Sequence, residues 1–305
     1  MRRLICVAVM AALGTPLAAQ DNKAAEIMKQ AREALGGNKL TQLKALQLEG
    51  PFAREMGPRQ VQGKIELTLQ LPDHMYRSED TEMMAGMSIE RTSVLAGGTA
   101  WEDMQNRGGL GGGMQIVMRQ GPPGQELNPQ QLEEARLRRM RTEFNRYALA
   151  FLGGGSLTPT FVAVAEAPEG KADVLEVKNE AGQAVRIFID QQTHMPLMLQ
   201  YQEVRPRINM MGGPGGPGGP PPGAEGQARP QGERPSPEEM RKRMEAMPPP
   251  QPSTVALYLA DYKKVDGVMV PHRLTQAIEG KTVEEWTIEK VKVNPSIKAD
   301  LFEKK

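Results

Sequence analysis

Cysteine is nearly absent from this chain, histidine is scarce and aromatic rings are few, and each shortage removes a class of function. Cys6 is the only cysteine in 305 residues. It sits inside an apolar run, residues 4–13, that follows Arg2 and Arg3 and precedes the small residues Ala18 and Ala19. That order is the pattern of a secretory leader, too short to span a bilayer, and it predicts removal of residues 1–20 by a cut within 18–21. A lipid-modified cysteine would close the apolar run, so Cys6 is not expected to carry an anchor. The exported chain then has no thiol, which excludes disulfides, thiolate metal sites and a cysteine nucleophile. Histidine supplies only His74, His194 and His272, and no H-E-x-x-H pairs two of them for zinc. Nor is there an excess of either charge. Losing Arg2 and Arg3 takes the formal charge from +1 to about −1, and without a cationic excess nucleic acid is not an expected partner. Beyond the leader, no apolar stretch reaches the length of a membrane span.

What remains is a strand-rich pattern with two helices. In NKAAEIMKQAREALGG, Ala24, Ile27, Met28, Ala31 and Leu35 recur at helical spacing until Gly36-Gly37 stops them. The period then changes to two. Val61, Ile65, Leu67, Leu69 and Leu71 alternate with polar residues, and further strands are expected around 75–82 and 87–95. A glycine-rich loop is expected over 104–125. Asn128-Pro129-Gln130-Gln131 then reads as a capped helix start, continued by Leu137, Met140, Phe144, Tyr147 and Phe151. TFVAVAEA, DVLEVKN, AVRIFID and PLMLQYQEV are strands, with a hairpin turn expected around Ala181-Gly182.

Residues 205–252 hold the chain's densest proline and glycine, a composition that cannot bury enough apolar surface to offset chain entropy. They are expected to be a disordered insertion within one domain spanning 21–305. Three strands follow, TVALYLADY, GVMVPHRLTQAIE and TVEEWTIEKVKV, turned at Asp266-Gly267 and Glu279-Gly280. About ten strands succeed one another without alternating helices, which predicts an antiparallel sheet.

No catalytic or cofactor pattern emerges. There is no G-x-S-x-G and no P-loop, and the G-x-G-x-x-G at 213–218 lies in the proline–glycine tract with neither strand nor helix around it. Carboxylates abound, but nothing singles out a glycosidase-like pair. The 20 methionines include Met83, Met84 and Met87, Met210 and Met211, and Met240, Met244 and Met247. Thioether clusters suit Cu(I), whereas the simpler role is adaptable apolar filling. RLRRMR (136–141) reads as a solvated helix face whose stems cover apolar surface, with anionic headgroups as the other candidate contact.

His272, beside Arg273 near the C-terminus, resembles a site but reads as framework. Val268 and Val270 share its face, and Pro271 demands an edge strand or a free N–H position there. Trp286 and Ile288 share one face while Val291 and Val293 take the other, which predicts a bulge near Glu289–Lys290.

VQGKIELTLQLPDHMYRSED followed by VLAGGTAWEDM resembles the LolA-like periplasmic lipoprotein carriers, through Gly63, Pro72, Tyr76-Arg77, Gly97-Gly98 and Trp101. IFIDQQTHMPLMLQY is similar to that family's step of strand, Asp190, Thr193, Pro196, strand, and DYKKVDGVMVPHRL and NPSIKADLFEKK are similar to the terminal strands of related exported proteins. The resemblance implies an α+β fold: a curved, incomplete antiparallel barrel whose open side is covered by an N-terminal and an inserted helix. It also implies an apolar cavity for acyl chains and a non-enzymatic, periplasmic role without cofactor or metal. Ile65, Leu67, Leu69, Val270, Trp286 and Ile288 are the candidate cavity residues. The expected partner is a lipid or lipoprotein acyl chain. The alternative is an envelope sensor or interaction module of the same fold whose insertion contacts a partner protein.

Overall fold

The computed structural model describes residues 8–11, 17–57, 59–84, 86–107, 128–151, 158–168, 170–178, 184–204 and 251–304. The chain separates into two units: 1–115, 133–203 and 253–305 form one, and 116–132 with 204–252 form the other. Of the second unit only 128–132, Val204 and 251–252 are described. Residues 205–250 and the Ala181-Gly182 turn lie outside the described residues, as do Met210, Met211, Met240, Met244 and Met247.

The first unit is built on one sheet. Its strands are β1 (Ala8–Ala11), β2 (Ala45–Met56), β3 (Arg59–Gln70), β4 (His74–Met84), β5 (Met87–Ala96), β6 (Thr99–Arg107), β7 (Thr160–Ala167), β8 (Gly170–Lys178), β9 (Ala184–Asp190), β10 (Pro196–Val204), β11 (Pro252–Val265), β12 (Val268–Ile278), β13 (Lys281–Thr287) and β14 (Lys290–Val293). The helices are α1 (Leu17–Leu35), the single turn α2 (Asn38–Thr41) and α3 (Pro129–Ala150). The strand order is β1-β7-β8-β9-β10-β11-β12-β13-β2-β3-β4-β5-β6, with β14 also on β2, and the two ends do not meet. It is therefore an unclosed, curved, mostly antiparallel sheet with helices on its inner face.

Among the described residues, fourteen strands replace the ten expected. β2 was not anticipated because Gly50-Pro51 in its middle has the composition of a turn. β6 and β1 are also additional, and one expected strand divides into β13 and β14. β1 draws its residues from the apolar run of the leader pattern and lies antiparallel along the edge of β7, Ala8 opposite Glu166. α1 likewise begins at Leu17, inside the same pattern.

The division of the last expected strand is the anticipated bulge. Trp286 pairs with Phe52 and Lys290 with Glu49, so four steps along one strand match three along β2. The surplus residue sits at Ile288–Glu289, where Ile288 N–H turns to His272 O at 2.7 Å and Glu289 N–H reaches Glu49 O at 2.9 Å. Such an insertion bends the sheet and increases its twist. The expected turns also occur: Asp266 and Gly267 have φ of 49° and 90°, and Glu279 and Gly280 have 47° and 77°. This pairing of positive values matches the right-handed twist of the strands it joins.

Both helices follow their sequence signals. The apolar stripe of α1 (Ala24, Ile27, Met28, Ala31, Leu35) is buried, and Gly36 at φ 140° ends it so tightly that a Cβ there would lie 2.7 Å from Gly267 O. At the start of α3, Asn128 N–H donates to Gln131 Oε1 at 3.1 Å and Gln131 N–H to Asn128 Oδ1 at 2.9 Å. Two orphan helix donors are thereby satisfied reciprocally.

β12 is not an edge strand, because β11 and β13 flank it. Pro271 is tolerated because it lies beyond the last β13 partner, Arg273 opposite Thr287. His272 is buried, and its Nδ1–H donates to Val270 O at 2.9 Å, which leaves it as framework.

Candidate functional site

Cross-strand pairing determines which side chains share the inner face. Leu46, Leu48, Gly50, Phe52 and Arg54 of β2 stand opposite Leu69, Leu67, Ile65, Gly63 and Val61 of β3. Leu69, Leu67 and Ile65 in turn oppose Met75, Arg77 and Glu79 of β4. Residues directly opposite in an antiparallel pair project to the same side. The inner face is thus apolar at the Leu46–Leu69–Met75 level and stays apolar along β3, while β4 turns ionic at Arg77 and Glu79 and β2 at Arg54.

The apolar part contains all six candidates. Ile65, Leu67, Leu69, Val270, Trp286 and Ile288 are buried in one cluster with the α1 stripe and with Met140, Phe144 and Phe151. Trp286 Nε1–H donates to Gly50 O at 3.2 Å, so its single polar atom is satisfied inside that cluster. A cavity lined by Leu43, Ala45, Leu46, Leu69, Leu71, Ala148 and Phe151 has a volume of about 10 Å³, whereas ligand pockets run to about 300–1,000 Å³. Leu69 is the one candidate on its wall. Side chains of α1 and α3 pack onto this inner face.

The ionic part escaped sequence reasoning. Arg54 reaches from β2 to Glu284 of β13 and to Glu79 of β4. Arg77 binds Glu79 at 3.0 Å and Glu143 of α3 at 2.9 Å. The chain Glu284–Arg54–Glu79–Arg77–Glu143 thus runs across three strands and onto the helix. Glu79 is 5% exposed. Burial alone would raise its pKa, but the Arg77 and Arg54 guanidinium groups hold it below the ordinary carboxylate value. Burial also opposes the charge on Arg77, yet Tyr147, Glu79 and Glu143 keep its pKa well above the usual guanidinium value. Tyr147, on the same helix as Glu143, is pushed upward by burial and stays a neutral phenol.

Glu102 is half-buried on a second such junction; desolvation would raise its pKa, but Arg91 and Arg139 outweigh it and lower it. Arg139 belongs to α3, and so does Arg146, which stacks 3.6 Å over Tyr201 and pairs with Glu203 at 2.8 Å. The RLRRMR run is therefore largely engaged within the chain: Met140 is core, Arg139 binds Glu102, and Arg141 lies 3.4 Å from Gly97 O.

A depressed carboxylate links folding to pH. The stability supplied by Glu79 and Glu102 is fully present above their ordinary value of 4.5 and is lost as pH falls through their lower folded values. The urea midpoint should stay level from neutral pH to about pH 5 and then decline. Glu79→Gln should start lower and decline less steeply. A variant whose acid slope matches that of the parent would show that Glu79 does not carry this linkage.

The motif residues named from the sequence are structural. Asp190 Oδ1 accepts from Thr193 N–H at 2.6 Å, Gln192 N–H at 3.1 Å and the Thr193 hydroxyl at 2.8 Å, closing the β9–β10 turn. Burial would raise the Asp190 pKa, but these donors lower it. Trp101 Nε1–H donates to Phe302 O at 3.2 Å and ties the C-terminal turn to β6. His74 donates to Asp73 at 2.8 Å, at the start of β4, and His194 sits in the β9–β10 turn at φ 57°. Among the described residues no three His, Cys, Asp or Glu side chains gather in a way that could hold a metal, and no helix is long and apolar enough to cross a membrane.

No family model matches this chain, and no curated protein matches it. Solved structures do. A LolA superfamily protein from Nitrosomonas europaea is 11% identical, with 92% of this chain and 97% of that chain covered and a TM-score of 0.44. A putative outer membrane lipoprotein-sorting protein domain from Vibrio parahaemolyticus is 8% identical over 93% and 97%, with a TM-score of 0.43. A DUF1329 family protein from Desulfovibrio piger is 7% identical over 92% and 97%, with a TM-score of 0.44. At these identities the likeness is one of fold.

Proposed function

We propose that this protein is an exported, non-catalytic carrier that takes the acyl chain of a lipid or lipoprotein onto the inner face of its sheet. The observation behind this reading is the composition of that face. A single apolar cluster joins Ile65, Leu67, Leu69, Val270, Trp286 and Ile288 to two amphipathic helices on an unclosed sheet. Each methylene buried there contributes about 0.8 kcal/mol, enough for a long chain to displace side chains that pack there in its absence. Met140 and Phe144 pack in the same cluster, so loading moves α3: these side chains withdraw while its ion pairs to Arg77 and Glu102 open. The leader pattern supplies the export, and the periplasm is the compartment where such a carrier works.

Native mass spectrometry of protein purified from the cell envelope tests this reading. A protein mass increased by one lipid, or uptake of one lipid from added vesicles, is the expected result. Bare protein that takes up nothing from either source would overturn it.

A further inference from the structure

The ionic chain beneath α3 contains one carboxylate more than the sheet requires. On the sheet, Arg54 and Arg77 balance Glu79 and Glu284, and Glu79 is shared by both guanidinium groups. Glu143 is the additional anion, and it comes from the helix. Arg77 stands where the face changes character, directly opposite Leu67 and one alternation from the Leu69–Met75 pair. Its side chain is 14% exposed. Its Nη1 donates to Glu143, its Nη2 faces Glu79, and its Nε is buried without a hydrogen-bond partner. Nη1 is thus the donor held by the helix and not by the sheet, and it is the position that an oxyanion from outside would take. Tyr147 adds a neutral hydroxyl beside it.

We infer that the ligand is an acidic amphiphile, a long apolar chain ending in a carboxylate or phosphate, whose head replaces Glu143 on Arg77 while its chain lies over Leu67, Leu69 and Leu46. The inference rests on the carriage reading and adds the class of head group to it. Glu143 acts as the occupant of the head site in the free protein. When α3 yields, Arg77 exchanges one carboxylate for another oxyanion, and the number of buried charges is unchanged. A neutral head offers no such exchange and leaves Arg77 with a donor uncompensated, which is the costly state for a buried cation.

The test displaces the neutral fluorophore N-phenylnaphthylamine from the purified protein with palmitic acid, hexadecyl phosphate and methyl palmitate, at pH 7.5, in parent and Glu143→Gln protein. A thermal melt confirms that the variant is folded. The acids should bind at least about tenfold more tightly than the ester. Glu143→Gln should tighten acid binding several-fold further while leaving the ester within about twofold, because only an acid competes with Glu143. If palmitic acid and hexadecyl phosphate separate, the tighter of the two identifies the head. Equal affinity for acids and ester, or a Glu143→Gln effect that raises all three alike, would overturn the head-group inference while leaving carriage standing. Failure of every compound, and of the fluorophore itself, in both proteins would remove the carriage reading and this inference with it.

Discussion

Replacing Arg77 with methionine should cost about 3–5 kcal/mol of folding stability, seen as a lower urea midpoint with unchanged slope. The substitution keeps the apolar stem that packs beside Leu67 and deletes only the charge. Glu143 then loses its partner in the ion-pair chain, and Glu79 keeps Arg54 alone. Buried Glu79 is left with one cation in place of two and partly exposed Glu143 loses its own, so each regains desolvation cost that the pairing had offset, which is why breaking such a pair is far more harmful than never having it. Adding Glu143→Leu to Arg77→Met should therefore recover part of the loss, since it removes the stranded anion. A single variant within about 0.5 kcal/mol of the parent would place Arg77 among surface ion pairs, whose contribution is of that size.

Gly50→Ala should be, with Gly63→Ala, among the most damaging single methyl groups in the described part of the sheet. A Cβ at that position would lie 1.9 Å from Thr287 O and 3.0 Å from Glu289 N, both backbone atoms of the bulge between β13 and β14. No rotamer relieves a clash between two main chains, so the bulge must open or the β2 pairing must shift. A one-residue shift would turn Leu46, Leu48 and Phe52 away from the core. The expected result is a loss above about 4 kcal/mol, or failure to fold. Gly57→Ala makes the contrast. Its Cβ would meet nothing, and only its φ of 61° counts against a side chain, so it should cost about 1–2 kcal/mol. Equal losses for the two would mean that backbone conformation, and not the close approach of the bulge, explains Gly50.

That contrast also marks what was legible in the sequence. The helices were readable because Gly36-Gly37 and Asn128–Gln131 are local signals, acting within one turn of the residues they control. The bulge was readable because the face parity changes between Ile288 and Val291 inside one short segment. β2 was hidden, since its Gly50-Pro51 imitates a turn and the reason for glycine lies 237 residues away at Thr287. The ionic chain was hidden for a related reason. Arg54, Arg77, Glu79, Glu143 and Glu284 come from four elements and alternate with polar residues as any solvated strand does. One trace was present: Met75, Arg77 and Glu79 share parity with each other and face the apolar side of β3. An Arg-x-Glu on the parity of a buried methionine marks charges turned inward.

The direct test of the central claim, that an acyl chain enters between sheet and helices, uses Trp286 as a buried reporter. The chain has two tryptophans, and Trp101→Phe leaves Trp286 as the single emitter, within the inner-face cluster beside Phe52. Adding a brominated stearic acid to this variant should quench Trp286 emission in a saturable, one-to-one titration, and unbrominated stearic acid should reverse it. Emission from Trp286 that stays unchanged while the same acid binds elsewhere on the protein would contradict the account.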